Sequence, residues 1–183
     1  METMDSSAGP TRQQLIAALN AKLFREQNLA LGILAGASAA LAGALIWMGI
    51  TVASGMHVGY VALAVGAGVG YAVRYTGKGV TKVFGVVGAV CTLLSCIAGE
   101  ALAEIQMAAS AQQTGFFQVL PLVDPGKLIG SVIENGSPIT YLIYAIGIYE
   151  GYKFSFRKLT QQEIVEAGLA STAPATMPPP PPT

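Results

Sequence analysis

Between Glu26 and Arg74 the chain carries no Asp, Glu, Lys or Arg, an uncharged run of 47 residues. As one helix the run would be about 70 Å long, more than twice the roughly 30 Å of a bilayer's hydrocarbon core, so it must turn back on itself. Ser54-Gly55-Met56-His57 gathers the least apolar residues of the run between two stretches that are each long enough to span, and marks the turn. The first span is then residues 28–53 and the second 57–74. A third apolar run, 83–104, passes through Glu100, and a fourth, 138–156, contains Glu150 and Lys153 and is the least apolar. Composition agrees, because 11% of the residues are charged where a soluble domain carries about 25%. The expected fold class is all-α: a polytopic membrane protein built as a bundle of four transmembrane helices.

The cations orient the spans. Arg12, Lys22 and Arg25 precede the first, Arg74, Lys78 and Lys82 separate the second from the third, and Lys153, Arg157 and Lys158 end or follow the fourth. Only Lys127 falls in the connection 105–137. By the positive-inside rule the three clusters share the cytoplasmic face, together with both termini, and connection 105–137 lies outside. Three or five spans would put the last cluster opposite the other two. The first 26 residues hold no apolar segment of the kind that ends in a cleaved signal, so the first span is expected to stay in the mature protein. Segment 1–27 is then a cytoplasmic piece in which Leu15, Ile16, Leu19, Leu23 and Phe24 recur at helical spacing. That pattern suits an amphipathic helix lying on the inner leaflet, or one packing on the ends of the bundle. In the outer connection, Asp124 and Pro125 open a short helix whose apolar face is Leu128, Ile129, Val132 and Ile133, ended by Asn135-Gly136. Segment 157–183 is a cytoplasmic tail, and Pro178 to Pro182 cannot be helical and read as an extended, disordered end.

Lipid tails are as apolar as leucine, so helices associate in a bilayer through close backbone approach and interhelical hydrogen bonds. Each span carries small residues at intervals of three and four. They are Gly32, Gly36, Ala40 and Gly43 on the first, Gly59, Ala62, Gly66 and Gly70 on the second, Gly85, Gly88, Thr92, Cys96 and Gly99 on the third, and Gly147 and Gly151 on the fourth. With Gly68 off the main stripe there is surface for both an intramolecular bundle and a homo-oligomer. The run Gly66-Ala67-Gly68-Val69-Gly70 resembles a phosphate cradle only superficially, since it lies inside an apolar span and follows no strand.

Charges inside hydrocarbon need a partner or a role. Glu150 lies about two turns above the inner end of the fourth span, within reach of Arg74 at the end of the second. The pair reads first as a bridge between two helices, and second as a proton or cation site in the cytoplasmic half of a pore. Glu100 and Glu104, four apart at the outer end of the third span, read as a wet helix end or, repeated around a ring, as an acidic mouth favouring cations. One His and two Cys in the whole chain make no metal cluster, Cys91 and Cys96 fall on different helix faces, and no cofactor is expected. Ten cations balance ten anions, which leaves no field for nucleic acid. No HExxH, GxSxG or Ser/His/Asp arrangement occurs, so no enzyme is expected.

Gly59-Tyr60-Val61-Ala62, Val69 through Arg74, Gly77-Lys78-Gly79, Phe84-Gly85 with Gly88-Ala89, Cys96 with Gly99, and Ile148 through Lys153 form a pattern that resembles a scattered set of small bacterial inner-membrane proteins of unassigned function. The resemblance covers about a third of the chain, and Glu100 stands where such proteins often have Asn. It implies a four-helix bacterial membrane protein and no activity. The expected role is a non-enzymatic, oligomer-forming membrane component, structural or accessory to a larger membrane complex and in contact with lipid. The alternative is an ion channel or small transporter that uses Glu150, Arg74 and Glu100.

Overall fold

The structure is a computed structural model that describes residues 11–55, 60–134, 137–166 and 168, without the side chains of Ile129, Val132, Ile133 and Glu166. Helix is the regular structure of the described residues: α1 (Arg12–Glu26), α2 (Leu29–Ser54), α3 (Val61–Gly77), α4 (Lys82–Ala111), α5 (Phe116–Val119), α6 (Pro125–Glu134), α7 (Pro138–Phe154) and α8 (Gln161–Glu166), with a 3-10 turn at Leu120–Leu122. The chain divides into two units, one holding α1 and α8 and the other, Gln27–Arg157, holding the remaining helices. At the head of α1, Thr11 and Gln14 cap each other: the Thr11 N–H donates to Gln14 Oε1 (2.8 Å) and the Gln14 N–H to Thr11 Oγ1 (3.4 Å). Of the apolar residues expected on one face of this helix, Leu23 is buried while Ile16 and Phe24 are exposed.

In the larger unit, α2 and α4 are long and apolar enough to cross a membrane. The helices α3 and α7 have 17 residues each, about 25 Å of rise. The turn expected at residues 54–57 keeps Ser54 as the last residue of α2, followed by Gly55 at φ 64°; Met56, His57 and Gly59 lie outside the described residues, as do Asn135, Gly136 and the proline tail. The third apolar run extends furthest from expectation, because α4 continues seven residues beyond Glu104 to Ala111. The chain then folds back along the end of α4, where Ile105, Ala109 and Val119 form a small second core with Phe116, Val123 and Leu128. Asp124 Oδ1 accepts from the N–H groups of Gly126 (2.8 Å) and Lys127 (3.4 Å) and so starts α6. Ser137 does the same for α7 through the Thr140 N–H (3.2 Å), with Pro138 in the first turn.

Close approach at small residues sets the arrangement. A Cβ added at Gly32 would meet Phe84 and Gly77, one at Gly36 would meet Val73 and Cys91, and one at Gly43 would meet Ser95 and Val65. The neighbours on α4 rise along the chain with those on α2, so these two helices run parallel, and α3 runs against both. Gly147 abuts the Ala62 carbonyl, and Gly70 abuts Phe154 and the Gly151 carbonyl, so α7 is parallel to α3. Gly85 faces Tyr152 and Phe156, and Gly88 faces Ser155 and Gly151, which makes α7 antiparallel to α4. The result is a central α3/α4 pair with α2 packed on one side and α7 on the other. At its lower end Phe84, fully buried, lies over Gly77, Gly79 and Gly32, where any side chain would strike the ring. Gly77 O accepts from the Asn28 N–H and Gly79 O from the Arg157 N–H, both at 2.9 Å.

Apart from Trp47, Phe84 and a row of valines in the core, many large apolar side chains point the other way. Leu34, Leu41, Ile46, Leu94 and Leu142 are each more than half exposed, while Ala62, Thr92, Cys96 and Ala103 are fully buried. Replacing Gly147 with Leu drives a side chain into the Ala62 backbone, and we expect a loss of about 3 kcal/mol or more in reversible unfolding from mixed micelles. Gly49→Leu, with nothing within 4 Å of the new carbon, should stay within about 0.5 kcal/mol of the parent.

Candidate functional site

The polar side chains of the larger unit gather at two levels. The upper one is built where α2, α4 and α7 converge. Gly99 on α4 lacks a side chain, and the Trp47 indole lies directly on its backbone, since a Cβ there would come within 2.8 Å of Trp47 Cβ and Cγ. Trp47 is buried and meets the Tyr144 ring edge-on, with centroids 5.5 Å apart and planes at 75°. The Tyr144 hydroxyl donates to Glu100 Oε1 at 2.6 Å. Glu100 is only 7% exposed, so it is not the wet helix end that its spacing from Glu104 suggests. It is covered by Tyr144 of α7 and by Trp47 of α2, which rests on the adjacent Gly99. Position 100 therefore falls inside the packed body.

Glu104 belongs to the cover instead. It is half-buried, and its Oε2 accepts from Ser131 Oγ of α6 at 2.6 Å. Below the carboxylate, Ser95 Oγ donates across to the Ala40 carbonyl at 2.7 Å, and Thr92 Oγ1 to the Gly88 carbonyl at 2.8 Å. Trp47 Nε1 and Thr51 Oγ1 are buried on α2 without a hydrogen-bond partner. A carboxylate hydrogen-bonded across helices in this way fixes their register, and it offers no nucleophile with an adjacent base. Among the described residues no group of His, Cys, Asp and Glu could hold a metal ion.

The lower level holds Arg74 and Glu150, and the structure does not join them. The Arg74 guanidinium carbon lies 5.9 Å from the Tyr71 ring centroid and 5.8 Å from that of Tyr75. Tyr71 stacks on Tyr75 at 6.1 Å and on Phe154 of α7 at 5.0 Å. Glu150 is half-buried on α7, one turn before Phe154. An arginine on an aromatic face keeps its charge partly hydrated, whereas pairing with Glu150 would desolvate both groups. Lys153 Nζ lies 6.0 Å from the Tyr149 ring.

All eight glycines singled out for packing, Gly32, Gly36, Gly66, Gly70, Gly85, Gly88, Gly147 and Gly151, sit at contacts between elements of the larger unit. Neither Tyr144, the donor to Glu100, nor Trp47, the cover of Gly99, is among the site residues singled out from the sequence, although their spacing contains the signal. Trp47 and Thr51 continue the series 36, 40 and 43, Glu100 follows Cys96 by four, and Tyr144 precedes Gly147 by three. Each is the next position of a buried stripe.

No protein-family model, curated protein or solved structure matches the chain.

Tyr144→Phe removes the donor to Glu100 without changing the ring contact with Trp47. We expect it to lower stability by about 1–3 kcal/mol, read as the midpoint of denaturation in micelles.

Proposed function

We propose that the chain is an integral protein of the bacterial inner membrane that crosses the bilayer four times with both termini in the cytoplasm. In this reading it acts without catalysis, as a self-associating structural or accessory component of a membrane assembly. One observation carries the reading: glycine, alanine, serine and threonine occupy the closest helix contacts, beside a core of Trp47, Phe84 and valines, while most leucines and isoleucines of the bundle lie on the outside. A water-soluble bundle would gain little from such an arrangement, because its stability comes from burying large apolar side chains. In a bilayer those side chains meet lipid at no cost, and small residues let backbones approach. The lengths of α3 and α7, 17 residues each, fall at the short end of the range of about 17–25 residues for a span.

Self-association is supported by small residues that the bundle leaves unused. Ala64 and Gly68 lie on the outer side of α3, and a Cβ at Gly68 would have nothing within 4 Å. With Ala42 and Ile46 of α2 they line a groove of about 310 Å³. A helix of a second copy can approach such a surface closely.

Mass measurement of the detergent-solubilised protein tests the reading. We expect a multimer for the parent and a monomer of unchanged thermal stability for Gly68→Leu; a parent that is monomeric at every concentration would refute self-association. For the topology, cysteines placed by Ser7→Cys and Thr176→Cys should label only after the membrane is permeabilised, and one placed by Lys127→Cys should label from outside. Ion flux in liposomes that disappears in Glu150→Gln would replace the accessory role with the channel.

A further inference from the structure

The lower end of the α3/α7 contact carries two cations that no anion among the described residues pairs with. Arg74, in the last turn of α3, is half-buried, and the described residues provide it with aromatic faces and no carboxylate or carbonyl acceptor. Its ring contacts hold the guanidinium in place while its N–H donors stay open, and a fork of this kind matches the oxygens of a phosphate. The row of rings continues from Tyr75 through Tyr71 to Phe154, whose chain neighbour is Lys153. Lys153, in the last turn of α7, likewise touches a ring and, among the described residues, no anion. The last turn of α7 lies beside the turn of α3 that leads to Arg74, since a Cβ on Gly70 would be 2.8 Å from Phe154 Cβ and Tyr71 stacks on Phe154. Tyr71, Tyr75 and Tyr149 are exposed around them, presenting ring surface of the kind enriched where headgroups meet acyl chains.

We propose that Arg74 and Lys153 form a binding site for the phosphate of an anionic phospholipid of the inner leaflet, with Tyr71, Tyr75 and Phe154 as its apolar wall. A lipid is chosen over free phosphate because the cations open onto exposed rings and apolar helix surface, so the acyl chains gain contacts that an inorganic ion cannot make. Lys78 and Lys82, at the end of α3 and the start of α4, add to the same positive field, while Glu150, one turn deeper on α7, opposes it. The site rests on the membrane reading above and is independent of self-association.

The purified full-length protein is reconstituted in vesicles of phosphatidylcholine alone and of phosphatidylcholine with phosphatidylglycerol, and lipid retained after extraction into detergent is identified by native mass spectrometry. The parent should retain phosphatidylglycerol in preference to phosphatidylcholine. Arg74→Gln should lose about fivefold of that preference. Arg74→Lys, which keeps the charge and loses the fork, should fall between the two, and Lys127→Gln should match the parent. Glu150→Gln should raise retention. Inorganic phosphate at equal concentration should not displace the lipid; displacement would overturn the lipid assignment. Equal retention by the parent, Arg74→Gln and Arg74→Lys would overturn the site. Failure of the parent to enter either kind of vesicle would instead refute the membrane reading, so the two failures are distinct.

Discussion

At Gly66 and Gly147 two helix backbones touch with no side chain between them, and the order of the other helices follows from that contact. Gly88 and Gly151 repeat it between α4 and α7, about one turn further along α7. Such contacts gain dispersion energy and expose no polar group, because each helix satisfies its own backbone internally. They are also intolerant. A single methyl at either glycine meets a carbonyl, so the sequence at these positions encodes the absence of a group. Gly70, which rests on Phe154 and the Gly151 carbonyl, then fixes the rotation of α7 and brings Tyr71 onto Phe154.

Hydrogen bonds add direction where close approach alone would allow sliding. Ser95 reaches across to the Ala40 carbonyl, and Thr76, bonded mainly within its own helix, also reaches Leu31 at 3.3 Å. These are neutral bonds of modest strength, worth on the order of 1 kcal/mol each. The Tyr144 to Glu100 bond differs in kind, since it secures a buried carboxyl group whose stranding would cost far more than the bond itself gains. Its main effect is therefore on specificity: alternative registers of α7 on α4 would leave Glu100 without the phenol. The wide Trp47 side chain closes the layer from α2 and needs Gly99 beneath it.

The uncharged run from Gln27 to Val73 and the glycine intervals made the helical character and the packing faces legible in the sequence. Periodicity could not locate the end of α4, because Gln106, Ser110 and Gln113 read as loop when scored by polarity alone. They are helical or adjacent to helix because α5 and α6 fold back and cover Ile105 and Ala109. That tertiary contact has no local signature. The burial of Glu100 has no local signature either, since it comes from Tyr144 of α7 and from Trp47 of α2 on the adjacent Gly99. Tyr144 was legible in principle. It shares a helix face with Gly147 and Gly151, and a large polar residue on a face otherwise made of glycine requires an acceptor opposite it. Only Glu100 on α4 carries a carboxylate at that height.

Charge sorting follows from the same geometry. Arg74 and Glu150 occupy neighbouring helices, and a reading based on opposite sign alone would pair them. Helix α7 meets α3 through glycine, so the backbones are too close for two long side chains to meet between them. Each must leave the contact sideways. There Tyr71, stacked on Phe154, already covers the α7 surface, and its ring gives the guanidinium a partner without stripping away all its water. The close helix contact thus favours the cation–π arrangement over the ion pair.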